Sequence, residues 1–115
     1  MKRFFAFAGA ALGVASCGSG PMPRQFIGRW GNDCASPYME FTRDGTMRVL
    51  PVNVEYRIRS ATLAGNILSV VYNNPDVGTV TDTYSVENGA LRQLKTISDK
   101  GGEATWNVSP MAKCG

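Results

Sequence analysis

The 115-residue sequence contains no histidine. Without histidine the chain cannot form a Ser-His-Asp triad or a Cys-His pair, and it lacks the usual general base near neutral pH and the imidazole ligand of zinc sites. Carboxylates are the remaining candidates for acid–base chemistry, but every acidic residue except Asp82 falls in an expected turn or on an expected outer face. The sequence therefore favours a protein that is not an enzyme and that holds no cofactor and no metal.

The sequence also lacks an apolar run long enough to cross a bilayer, which takes about 20 residues. The apolar run at residues 4–12 is shorter, follows the charged pair Lys2 and Arg3, and is followed by the small residues Val14-Ala15-Ser16. A charged start, a short apolar run and a small-residue cleavage site are typical of a signal peptide. We therefore predict a signal peptide over residues 1–16.

The segment Val14-Ala15-Ser16-Cys17 resembles the bacterial lipobox, in which an aliphatic residue and two small residues precede a cysteine that is acylated and becomes the new N-terminus. The resemblance implies that Cys17 is lipidated and that residues 17–24 form a lipid-anchored flexible tether. Gly18, in place of aspartate, implies the outer membrane, with the protein facing the periplasm. Cleavage by ordinary signal peptidase is the alternative, and it would leave a soluble periplasmic or secreted protein.

Cysteine is scarce, with three residues in the chain. An odd number of cysteines in an exported protein leaves one thiol without a partner. Acylation of Cys17 accounts for that thiol, so Cys34 and Cys114 are expected to form a disulfide in an oxidising compartment.

Excess charge of one sign is also absent from the mature chain. Removal of Lys2 and Arg3 with the signal peptide leaves ten basic residues against nine acidic ones. This near balance gives no indication of a nucleic-acid partner.

From residue 25 onward the chain contains no amphipathic helical pattern, and turn signals recur every eight to twelve residues. Alternating apolar and polar residues at 54–59 indicate a strand, and Asp44-Gly45 and Asn88-Gly89 indicate hairpin turns. We predict one all-β domain over residues 25–115, a small eight-stranded antiparallel meander with one disulfide. Closing or nearly closing the meander into a barrel would remove the exposed edges that invite aggregation.

The segment Gly28-Arg29-Trp30, which precedes this meander, is similar to the G-x-W opening of the calycins. Lipocalins are longer than this chain, whereas the short periplasmic inhibitors of metalloproteases (Inh-type) resemble it in length, strand number and the presence of one disulfide, although the expected bridge lies at a different place. The Inh-type resemblance implies that residues 17–25 form an exposed arm that blocks an exported protease together with one rim of the barrel.

Asp82 lies on the same strand face as Val80 and Tyr84 by the period of two, so we expect it to point inward. A buried carboxylate costs several kcal/mol unless it is paired. Asp82 therefore needs a donor, which would be an arginine such as Arg29 or Arg92, tyrosine hydroxyls or a bound ligand. A polar pair inside the core, or a slipped register that places Asp82 outside, are the alternatives without a binding function.

The candidate lining of a ligand cavity consists of five aromatic residues and the inward carboxylate, namely Trp30, Tyr56, Tyr72, Asp82, Tyr84 and Trp106. The same aromatic residues would also serve as the packed core of a small barrel. Two functions follow from these alternatives. The first is a lipid-anchored binding module of the cell envelope that holds a protein partner or a small apolar ligand, and the second is a structural or assembly lipoprotein of an envelope complex without a ligand cavity.

Overall fold

The computed structural model of the protein describes residues 21–115. The predicted signal peptide (1–16), the lipidation site Cys17 and the first part of the predicted tether (17–20) lie outside the described residues. Residues 21–115 form nine β-strands and two short 3-10 helices, Arg24–Phe26 and Leu50–Val52, with no α-helix. No helix within this part of the chain has the length and apolar character needed to cross a membrane.

The nine strands lie in one antiparallel sheet, so the all-β prediction is confirmed. In chain order they are β1 (Gly28–Gly31), β2 (Met39–Phe41), β3 (Thr46–Val49), β4 (Val54–Ala64), β5 (Ile67–Asn74), β6 (Gly78–Glu87), β7 (Ala90–Ser98), β8 (Gly102–Thr105) and β9 (Ala112–Lys113). Each strand from β1 to β8 pairs with its neighbour in the chain, because short turns connect them. This is the predicted meander.

The sheet is not closed into a complete barrel. Its order is β8-β7-β6-β5-β4-β3-β2-β1-β9, with β8 and β9 at the two ends. One isolated antiparallel bridge joins β7 to the segment that precedes β9. In this bridge the N–H of Leu91 donates to the carbonyl of Met111 (2.9 Å) and the N–H of Met111 donates back (2.7 Å). The barrel is therefore at most nearly closed. Of the two predicted forms, closed and nearly closed, the closed form is absent.

The prediction of eight strands misses β9. This strand has two residues, too few to show the alternation by which strands are recognised in a sequence. Its register pairs Ala112 with Gly31 and Lys113 with Trp30. The pairing continues beyond the strand, because the N–H of Cys114 donates to the carbonyl of Arg29 at 2.7 Å.

The predicted disulfide between Cys34 and Cys114 is present. The two Cα atoms are 5.3 Å apart and the cysteines are separated by 80 residues in the chain. The disulfide joins the loop after β1 to the residue after β9, so it covalently secures the same two segments that the β1–β9 hydrogen bonds hold together.

Trp30 and Gly28 explain why β1 has its composition. Trp30 is 1% exposed, and its indole N–H donates to the carbonyl of Phe26 at 2.9 Å. Gly28 has φ +137°, and a Cβ at this position would lie 2.5 Å from the carbonyl oxygen of Gly115, so only glycine fits where the C-terminal segment crosses β1.

Met22 is 3% exposed and belongs to the same core as Trp30, so the packed region begins before the predicted domain boundary at residue 25.

We predict that replacing Cys34 and Cys114 with serine lowers the thermal stability of the protein sharply. Closure of a loop of 80 residues stabilises a fold by at most about 4–5 kcal/mol through the entropy of the unfolded chain. In a domain of this size even half of that loss lowers Tm by about 10 °C. The measurement is a melting curve in non-reducing buffer, and reduced wild-type protein is the control that should match the variant. An unchanged Tm would contradict a stabilising role for the disulfide.

Candidate ligand-binding cavity

A cavity of about 440 Å³ lies against the inner face of the sheet. This volume falls within the range of small-molecule sites, which is about 300–1,000 Å³. Much of the wall is aliphatic, with three methionines and two valines: Met39, Met47, Val49, Val108 and Met111. Methionine side chains are flexible and polarisable, so such a wall adapts to ligands of different shapes.

The structure brings together four of the six predicted cavity residues, namely Tyr72, Asp82, Tyr84 and Trp106. Tyr72 and Tyr84 are buried, whereas Trp106 is 44% exposed and lies where the cavity meets solvent. Tyr38, which the sequence analysis did not select, lines the cavity as a fourth aromatic residue.

The other two predicted residues, Trp30 and Tyr56, do not line the cavity. Trp30 packs against Phe26, with ring centroids 6.4 Å apart, and is part of the core. Tyr56 packs against the ring of Tyr72 with centroids 4.9 Å apart. Tyr56 therefore supports one wall of the cavity from behind.

Asp82 points inward, as predicted, and is 4% exposed. The hydroxyl of Tyr72 donates to its Oδ2 at 3.0 Å, and the hydroxyl of Thr96 donates to its Oδ1 at 2.6 Å. Tyr72 stands on β5 and Thr96 on β7, so the two strands that flank β6 each supply one donor. Each carboxylate oxygen accepts one of these two bonds.

Of the donors proposed for Asp82, tyrosine is the one present, together with a threonine. Arg29 lies 3.8 Å from Glu40, and Arg92 Nε donates to Glu87 at 2.9 Å, so both arginines have other acidic partners. Within residues 21–115, no lysine or arginine forms an ion pair with Asp82, and none lines the cavity. Asp82 is thus a buried carboxylate that is hydrogen-bonded but has no cation beside it.

Thr96 connects Asp82 to the cavity entrance. Its hydroxyl oxygen accepts hydrogen bonds from the indole N–H of Trp106 (2.9 Å) and from the amide of Gln93 (3.3 Å). Because these donors occupy the oxygen of Thr96, its own proton is directed to Asp82. The chain Trp106–Thr96–Asp82–Tyr72 therefore fixes the orientation of the polar wall.

A β-bulge in β7 makes this arrangement possible. In the pairing of β6 with β7, Thr83 lies opposite Lys95 but Tyr84 lies opposite Gln93, so Leu94 is the extra residue. Residues three apart on a regular strand face opposite sides of the sheet, whereas the bulge brings Gln93 and Thr96 to the same side. Sequence reasoning missed both residues because strict alternation assigns them to different faces.

Burial governs the protonation of the polar wall. Desolvation raises the pKa of Asp82 above its ordinary value of 3.8, and hydrogen bonds from Thr96, Tyr72 and Gln93 oppose this rise. Burial, followed by the nearby charge of Asp82, raises the pKa of the Tyr72 hydroxyl and that of the Tyr84 hydroxyl. Both tyrosines therefore stay protonated at neutral pH and serve as hydrogen-bond donors.

Tyr84 has a weaker partner than its neighbours. It is 2% exposed, and its hydroxyl lies 3.8 Å from the thioether sulfur of Met39. Sulfur is a weak acceptor, so this buried hydroxyl has unused capacity on the cavity wall.

The arrangement can bind a small molecule through apolar contact and a few directed hydrogen bonds. Among residues 21–115 there is no group of three or more acidic or cysteine side chains that could hold a metal ion. Comparison of the chain with protein families, with curated proteins and with solved structures finds no match in any of the three.

We predict that the free energy of unfolding of Asp82→Asn increases relative to that of wild type as the pH rises. Because the folded-state pKa of Asp82 is raised above 3.8, the folded state binds its proton more tightly than the unfolded chain does. The stabilising contribution of Asp82 is complete below pH 3.8 and is lost as the pH rises through the folded-state pKa. Each pH unit by which the pKa is raised corresponds to about 1.4 kcal/mol.

Denaturant unfolding of both proteins between pH 3.5 and about pH 7.5 measures this difference. The pKa values of Asp44, bonded by Thr42, and of Glu87, bonded by Ser85, are lowered in the fold. These two groups are present in both proteins, so their opposite contributions cancel in the difference. Asp76→Asn at an exposed turn is the control for removing one charge. A variant that loses stability relative to wild type with rising pH would contradict the prediction.

Proposed function

We propose that the protein is a non-catalytic binding module of the cell envelope that holds a small, largely apolar ligand. The observation that carries this proposal is the cavity of about 440 Å³ on the inner face of the sheet. Its wall combines flexible methionines, aromatic rings and a few fixed polar groups, which is the composition of small-molecule sites in general.

The structure supports ligand binding over the two other functions considered from the sequence, a structural lipoprotein and a protease inhibitor. A structural lipoprotein would be served by a packed interior, which gives more dispersion energy than a void. An inhibitor of the Inh type would need residues 17–25 as an exposed arm, but Met22 is buried in the core and Phe26 contacts Trp30. The part of the chain left for such an arm is therefore shorter than the resemblance requires.

The lipid anchor belongs to the proposal chiefly because of the sequence of residues 14–17. The lipobox-like Val14-Ala15-Ser16-Cys17 supports acylation of Cys17. The disulfide between Cys34 and Cys114 adds to this support, because it leaves Cys17 as the one cysteine without a cysteine partner. We accordingly propose that the module is attached to the outer membrane and faces the periplasm.

Intact-mass measurement of protein purified from membranes tests the anchor. The expected mass exceeds that of residues 17–115 by an acylated glyceride, and no thiol is alkylated until the disulfide is reduced. After reduction, alkylation at Cys34 and Cys114 alone is expected. An unmodified mass with one freely alkylated thiol would contradict lipidation and would indicate a soluble protein.

Binding of the neutral fluorescent hydrophobe N-phenyl-1-naphthylamine tests the cavity. We expect saturable binding to wild-type protein and an increase of about tenfold or more in Kd for Val49→Trp. Val49 lines the cavity on β3, so an indole at this position occupies space that the dye needs. The measurement is a fluorescence titration.

Ile97→Trp is the matched control for this variant. Ile97 is exposed on β7 and does not line the cavity, so the same added bulk should leave the affinity for the dye unchanged. Equal loss of affinity in both variants, or no saturable binding to wild-type protein, would contradict the proposed site.

A further inference from the structure

The polar wall of the cavity has one sign of charge. Asp82 is the one ionisable carboxylate among the residues that line it, and no lysine or arginine side chain of residues 21–115 does so. A buried carboxylate without a cation is costly, and a ligand cation would supply the missing partner. An anionic ligand would meet Asp82 with no basic group to offset the repulsion.

We propose that the ligand of this cavity is an amphiphilic organic amine, with its ammonium group at Asp82 and its apolar body against the methionines. This inference rests on the function proposed above and specifies the chemical class of the ligand.

The hydrogen-bond capacity at Asp82 fits an ammonium group. Thr96 donates to Oδ1 and Tyr72 to Oδ2 of the carboxylate, and Gln93 is a further hydrogen-bonding neighbour. A carboxylate has about four lone-pair sites, so acceptor capacity remains for an N–H donor of the ligand. The Tyr84 hydroxyl has a thioether as its partner, so its oxygen can accept a further N–H bond. A protonated amine brings two or three donors and no acceptor, which matches the unused acceptor capacity of Asp82 and Tyr84.

The aromatic rings favour the same ligand class. Tyr72, Tyr84 and Trp106 line the cavity together with Asp82. The faces of tyrosine and tryptophan rings attract ammonium groups, by about 0.5–1 kcal/mol at exposed sites and about 2 kcal/mol or more in desolvated ones. Met39, Met47 and Met111 provide the apolar surface for the rest of the molecule.

Burial of Asp82 gives the site selectivity for charge. In the free protein desolvation raises the pKa of this carboxyl group. A ligand cation beside it favours the ionised form, whereas a neutral ligand of the same shape does not. The difference in affinity between the cationic and the neutral ligand therefore arises mainly at Asp82.

Calorimetric titration with three probes of equal chain length tests the inference at neutral pH. The probes are octylammonium, octanol and octanoate, which differ in the charge of the head group. For wild-type protein we expect octylammonium to bind with a Kd about tenfold or more below that of octanol, and octanoate to bind weakest. This comparison within wild-type protein needs no variant to fold.

Two variants test whether the preference for octylammonium over octanol depends on Asp82. In Asp82→Asn the ratio of the octanol Kd to the octylammonium Kd should fall to near one. In Glu103→Gln, which removes an exposed negative charge on β8, the ratio should stay at its wild-type value. A ratio that does not change in Asp82→Asn, or that falls equally in Glu103→Gln, would overturn the role of Asp82.

The probes also separate failure of this inference from failure of the proposed function. Octanol binding as tightly as octylammonium, and weakened by Val49→Trp, would overturn the amine ligand and leave the cavity as a binding site. Absence of binding by all three probes and by the neutral dye would overturn both.

Discussion

The attachment of the C-terminal segment to β1 is the constraint on which the rest of the structure depends. An antiparallel meander has two free edges, and here the segment from Met111 to Gly115 connects the β1 edge to the beginning of β7, while β8 stays at the other end of the sheet. It pairs with β1 through Ala112 and Lys113 and touches β7 through the single Leu91–Met111 bridge. The Cys34–Cys114 disulfide holds this segment against the fold even when its few hydrogen bonds open.

The same constraint creates the cavity. Because β9 must reach β1 while β8 stays paired with β7, the connection from Trp106 to Met111 runs past the inner face of the sheet instead of continuing the ladder. Trp106, Val108, Ser109 and Met111 therefore form one wall of the cavity, and residues of β2, β3, β5, β6 and β7 contribute to the others.

Eight of the nine strands and the disulfide were predictable from the sequence, whereas most of the cavity lining was not. Tyr72, Asp82 and Tyr84 follow from alternation along regular strands, which is the strongest local signal a strand gives. Trp30 also obeys alternation, but the indole bonds to Phe26 and faces the core, and no local pattern separates a core face from a cavity wall. Gln93 and Thr96 depend on the bulge at Leu94, and Met111 depends on a contact with β7 twenty residues away in the chain. These features arise from pairing between distant segments, so a reading of local periods cannot supply them.

The burial of Asp82 lowers the stability of the fold, yet the surrounding residues hold its side chain in one orientation. In the packed part of the core, apolar side chains such as Leu68, Val70 and Leu91 lose nothing by burial. Asp82 lies directly opposite Val70 in the register, and an apolar residue there would avoid the cost of a buried carboxylate. The fold instead surrounds the carboxylate with Tyr72 and Thr96, and it fixes Thr96 through Trp106 at the cavity entrance. A polar group that weakens the fold and is nonetheless held in one orientation is what the proposed ammonium site requires, since binding sites commonly sacrifice stability for affinity.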